Sequence, residues 1–165
     1  MKRLILVLAL LPWPALADAV VDQYRGPVDA CYAQANRSEN LDACYGLLTA
    51  ACVNAAPQGE TTLGRSQCLQ AELAYWDEWL NREYGVTMAQ MRERDTYHRA
   101  NSPQYAVGED LLRAAQRAWV VFRDADCQSR HSVWAEGSIG QIIYPSCLAE
   151  RTFERVQDLI RLREN

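Results

Sequence analysis

The stretch AQRAWVVFRDADC, residues 115–127, sets two arginines, two aspartates, a tryptophan and a phenylalanine in one window that ends on a cysteine. At about 100° per residue, Leu112, Gln116, Trp119, Arg123 and Asp126 fall within one narrow sector, with Cys127 at its edge. The stretch therefore reads as a helix whose inward face carries charge. Charged groups on a core face must be paired and hydrogen-bonded, so partners are required on neighbouring helices.

Those helices are legible on both sides. From Arg65, the residues Leu69, Leu73, Trp76, Leu80 and Tyr84 recur at helical spacing, and Met88 and Met91 extend the pattern toward His98, with a possible bend at Gly85. Asn101-Ser102-Pro103 stops this helix, because the residue before a proline resists the helical region. A second long helix runs from about Val107 to Cys127, with Leu111, Leu112, Ala115, Trp119 and Phe122 expected inside. The segment HSVWAEGSIG reads as a loop, and Pro145 suits the first turn of a last helix carrying Leu148, Val156, Leu159 and Leu162. Upstream, VDACYAQAN after Gly26-Pro27 and ENLDACYGLLTAACVNAA after Ser38 read as a helical hairpin, closed by the loop PQGETTLG. No alternating pattern suggests a strand. The expected fold is all-α: a small disulfide-linked helical bundle with long antiparallel helices and an N-terminal helical hairpin.

The first residues point to export. Lys2 and Arg3 lead into LILVLALL and then Ala15-Leu16-Ala17, the small-x-small pattern of a signal-peptidase site, so residues 1–17 read as a cleaved secretory signal. The apolar run is short of the ~20 residues needed to span a bilayer, so no stable membrane anchor is expected after cleavage. A periplasmic or secreted location follows. Cleavage takes Lys2, the chain's one lysine, and Arg3, leaving 15 arginines against 21 acidic residues, a net charge of −6. An acidic domain disfavours nucleic acid and anionic lipid and favours a cationic partner.

Six cysteines remain, and in an exported chain an even number reads as disulfides. Proximity favours Cys127 with Cys147, Cys31 with Cys44, and Cys52 with Cys68. Zinc is disfavoured, since no CxxC pair occurs and His98 and His131 stand apart; no metal and no cofactor are expected. Catalysis lacks its motifs as well: there is no GxSxG and no HExxH, and Glu72 and Glu83 share one helix at a separation too large for most acid/base pairs. These two glutamates lie beside Trp76 and Leu80 on the inward side, while Arg151, Thr152 and Arg155 lie beside Leu148 and Leu159 on the last helix. Three packed helices would let these groups meet Arg123 and Asp126, either as a structural ion-pair network or as one whose outer end presents Arg123, Asp126 or Arg155 to a ligand.

The ordered set of Cys68, ELAYWDEWLNREY, AQRAWVVFRDADC, EGS, Cys147 and LAERTFERVQDL resembles the lysozyme inhibitor LprI-type domain over roughly residues 68–162. The resemblance rests on Gln116, Arg117, Trp119, Arg123, Asp124 and Cys127, supported by Leu80, Asn81 and Tyr84 and by Thr152 and Arg155. It implies a helical, exported, disulfide-containing domain, some of whose relatives inhibit lysozyme, and hence a non-enzymatic role with a lysozyme or other cationic exported protein as partner. Residues 18–60 then look like a cysteine-containing addition to a family-like domain at 61–165. The candidate contact is the segment His131 to Tyr144, with His131, Trp134, Ser138, Ile139 and Tyr144, and with Gly137 and Gly140 permitting a tight projection. The competing expectation is a plain connection with Trp134 tucked onto the core. A different role, an envelope interaction module without a lysozyme target, would use an aromatic surface around Trp76 and Trp79, with Tyr75 turned away.

Overall fold

The computed structural model describes residues 14–35 and 38–164, in six α-helices and two short 3-10 segments with no strand among them. Most of the expected signal, residues 1–13, lies outside the described residues, and Pro14 opens the first helix, α1 (Pro14–Tyr24). No described helix is long and apolar enough to cross a membrane.

The spine is α4 (Thr62–Asn101), 40 residues long and thus about 60 Å from end to end. Thr61 caps it by accepting from the Gly64 N–H at 3.0 Å, which places its start three residues before Arg65. His98 and Arg99 in its last turn suit the negative end of the helix dipole. Gly85 does not interrupt it, being exposed with open space where a side chain would stand.

The chain then reverses into α5 (Gly108–Ser132) and again into α6 (Gly140–Glu164). Asp95, buried near the end of α4, accepts from the first two N–H groups of α5, Gly108 and Glu109, each at 2.9 Å. This reversal is thus fixed by a cap donated from another helix. Successive long helices run antiparallel, so α6 lies parallel to α4: Trp76 meets Phe153 edge-on at 4.7 Å, and Thr87 donates to the Leu159 carbonyl at 3.3 Å.

Against the first half of α4 pack α1, α2 (Gly26–Gln34) and α3 (Leu47–Ala55), while a 3-10 turn at Ser38–Cys44 lies between α2 and α6, with Gln157 donating to Asp42 at 2.7 Å. Their Val21, Val28, Leu41 and Leu48 join Tyr75, Trp76, Leu80, Phe153, Val156 and Leu159 in one core. The bridges are Cys31–Cys44, Cys52–Cys68 and Cys127–Cys147, the pairing that chain proximity favours. Closing loops of this size contributes about 3 kcal/mol each.

Four expectations need correction. The helix expected after Ser38 is broken at Gly46, which adopts φ +83° between the 3-10 turn and α3, a conformation glycine takes without steric cost. A further helix, α1, precedes the expected hairpin. Pro145 sits inside α6 rather than in its first turn; the carbonyl its missing N–H would have met belongs to Gln141, which is exposed and can turn to water. Tyr75 is not turned away from Trp76 and Trp79: its ring lies 5.0 and 6.4 Å from theirs, α2 covers it, its hydroxyl donates to Asp29 at 3.0 Å, and burial raises its pKa.

Candidate functional site

The polar sector of α5 faces α6 and forms a seam of paired groups. Arg155 donates to Gln116 at 3.0 Å, and burial lowers the pKa of its guanidinium. The Trp119 ring lies between Arg123 and Arg155, 5.1 and 6.0 Å from their guanidinium carbons. Arg123 reaches the buried Thr152 hydroxyl at 3.4 Å and its own neighbour Asp124 at 2.9 Å. Further along, Arg151 meets Asp126 at 3.0 Å, and Arg130 meets Asp126 and Glu150 at 3.3 Å each. The Cys127–Cys147 bridge closes this end of the seam. Asp126 lies near both of its sulfurs, but sulfurs bonded to one another are not thiolate ligands.

Two expected members of the network lie elsewhere. Glu72 is fully buried and turns to the N-terminal helices: it accepts from Gly46 N at 3.0 Å, Thr49 N at 2.7 Å and Trp76 Nε1 at 2.7 Å. It therefore caps α3, and neither Arg123 nor Asp126 depends on it. Glu83, also buried, pairs with Arg163 and accepts from Tyr32 at 3.1 Å; burial raises the Tyr32 pKa. Asn81 is exposed and donates only to Asp77, at 2.9 Å to its carbonyl, and Tyr84 packs at the core margin. Trp76 is buried and Trp79 stacks on Tyr32 at 3.7 Å, so the aromatic surface considered for an interaction module is covered.

The connection between α5 and α6 is shorter than the segment 131–144. His131 lies in the last turn of α5 and Tyr144 in α6, their rings meeting edge-on at 5.9 Å. Between the helices, residues 133–139 form a chain of tight turns, with Trp134 N bonded to His131 O and Gly137 N to Trp134 O. Neither Gly137 nor Gly140 takes a positive φ. Gly140 is needed for a different reason: a Cβ there would stand 2.9 Å from the Trp134 carbonyl and 3.1 Å from His131 Nε2. Trp134 is 51% exposed, so it is not tucked onto the core. Val133, Ser138 and Ile139 are exposed beside it, and the loop lines two shallow clefts, one of which reaches Arg130, Ile143, Ser146 and Glu150.

This arrangement offers a contact surface: one large aromatic, two aliphatic side chains, a hydroxyl and the carboxylate of Glu136, on a short segment fixed at its base by a disulfide. Residues 52–159 match the family described as lysozyme inhibitor LprI. The chain belongs to the LprI family. An uncharacterized protein of Rhizobium meliloti (strain 1021) is 31% identical over 98 residues, which are 59% of this chain and 70% of that protein. No solved structure matches. The match begins at Cys52, inside α3, so the Cys52–Cys68 bridge lies within the part shared with the family. The family's description is that of an inhibitor rather than a catalyst.

Asp95 and Gly46 escaped the reading of the sequence. An acidic residue thirteen positions ahead of a helix start carries no local signal, because its role exists only once α4 and α5 reverse. Gly46 followed by Leu47-Leu48 inside a helical pattern is a weak breaker signal that the flanking residues outvote.

Proposed function

We propose that this LprI-family protein is exported through cleavage after Ala17 and inhibits a lysozyme or related wall-cleaving enzyme by seating the loop 133–139 in the enzyme's cleft. The observation that carries the reading is the exposure of Trp134 on a segment held by the Cys127–Cys147 bridge. A preformed loop with an aromatic anchor loses little entropy on binding, and anchors of this kind dominate interface energies. Lysozyme clefts work with two carboxyl groups, so Trp134, Ser138 and Ile139 would face them, while Glu136, the loop's one exposed acid, would have to turn to the cleft's positive rim. The acidic balance of the chain would steer it to the positive outer surface that lysozymes commonly carry.

The seam is the support of this loop. Arg151, Asp126, Arg130 and Glu150 fix how α5 and α6 register next to the bridge, and so where the loop leaves the bundle. The test is lysis of a wall suspension by lysozymes of several classes, with oxidised protein at low and moderate salt. Inhibition of at least one class that weakens as salt rises supports the reading. A folded protein that slows none of them refutes it.

A further inference from the structure

The outer face of α5 is apolar and, apart from the Arg151 guanidinium 6.0 Å from the Phe122 ring at its edge, meets no other helix among the described residues. Only Leu112 and Cys127 of this helix are buried. Leu111 is 63% exposed, Val121 71% and Phe122 56%, against the expectation that Leu111, Ala115 and Phe122 lie inside. With Ala114, Ala115, Ala118 and Ala125, all exposed, they form a stripe about 120° wide that contains no charge. The acids on its flanks are occupied locally, Asp110 by Arg113 and Asp124 by Arg123, each at 2.9 Å.

We infer that this face pairs with the same face of a second copy, the two α5 helices antiparallel across a two-fold axis at Ala118. The size pattern is self-complementary about that residue. Three and four positions after it stand Val121 and Phe122; three and four before it stand Ala115 and Ala114. Seven positions away, Leu111 on one side answers Ala125 on the other. Reversal across the axis sets Phe122 of one copy over Ala115 of the other, Val121 over Ala114 and Leu111 over Ala125, with the two Ala118 methyls meeting where the helices come closest. Such isologous matching of large to small is what a two-fold contact requires. A cationic partner would find no carboxylate in the stripe, whereas two acidic copies can meet only where charge is absent.

From Leu111 to Ala125 the stripe is about 21 Å long, and its apolar area is on the order of 400 Å² per copy. A stable interface buries about 800 Å² per partner, so this dimer is weak and forms with concentration. Its geometry leaves both loops at 133–139 free, at opposite ends and about 45 Å apart.

Sedimentation of the exported, oxidised protein between about 5 and 500 µM covers the range expected of such an interface. The weight-average mass should climb from one chain toward two, and Ala118→Arg, an exposed change on a helix that tolerates arginine, should hold it at one chain with an unchanged melting curve. Ala118→Cys, oxidised, should give a covalent dimer through the new cysteine. A parent that stays monomeric throughout, an Ala118→Arg variant that associates as the parent does, or a dimer that Ala118→Cys fails to link would each overturn the pairing.

Discussion

Replacing Glu72 by glutamine tests the view that one buried carboxylate joins the N-terminal helices to the spine. Oε1 accepts from Gly46 N and Trp76 Nε1, and Oε2 accepts from Thr49 N at 2.7 Å. Glutamine keeps the volume and one accepting oxygen but turns an NH2 group toward one of these donors. That removes a hydrogen bond worth about 1.5–3 kcal/mol when one partner is charged and leaves a buried N–H without an acceptor. The expected loss is about 2–3 kcal/mol, or roughly 5–10 °C in melting temperature for a chain of this size. Alanine at the same position strands all three donors and opens a cavity, for a loss of about 4–5 kcal/mol. Thermal and denaturant unfolding followed by tryptophan emission reads both, since Trp76 is itself one of the donors. A glutamine variant that melts with the parent would refute the assignment of Glu72 as the cap of α3.

Arg123→Ala should cost only about 1 kcal/mol in denaturant unfolding, because its partners are the half-exposed Asp124, a long bond to Thr152 and the Trp119 face; a loss above 3 kcal/mol would mean that a buried acid depends on it. Removing the last bridge with Cys127→Ser and Cys147→Ser together should lower stability by roughly 3 kcal/mol and weaken inhibition further than the loss of folded protein accounts for. Asp95 is held below its ordinary pKa by hydrogen bonds from Glu109 N and Gly108 N. Its contribution is therefore full above about pH 4, the unfolded value, and is lost as pH falls through the lower folded value. Acid unfolding of Asp95→Asn should accordingly show a shallower dependence below that pH than the parent.

Much of this fold can be read from local pattern. The three long helices follow from three- and four-residue spacing around Leu69, Trp76, Leu112 and Val156, and the three bridges join cysteines 13, 16 and 20 residues apart, each across one turn of chain. What escaped depends on distant parts. Glu72 and Glu83 are visibly inward, yet which helix each faces is set by packing of α2 and α3, and a wheel drawn for α4 alone cannot show it. On α5 the sector of Leu112, Gln116, Trp119, Arg123 and Asp126 is legible as the inward face, yet Leu111 and Phe122, about 80–100° away from its centre, are expected inside as well and instead face out. Here the inward side is the polar one, because Gln116, Arg123 and Asp126 find Arg155, Thr152 and Arg151 on α6. Within the loop, the sequence admits a packed or a projecting Trp134, and the structure shows it projecting.

The loop reading is tested most directly by calorimetric titration of an inhibited lysozyme with oxidised parent and with Trp134→Ala. An anchor residue removed from the middle of an interface costs at least about 2 kcal/mol, so Kd should rise about thirtyfold or more. The melting temperature of the free variant should stay within about 1 °C, as for an exposed side chain. Equal affinity in a variant that melts like the parent would contradict the account and move the contact away from residues 133–139.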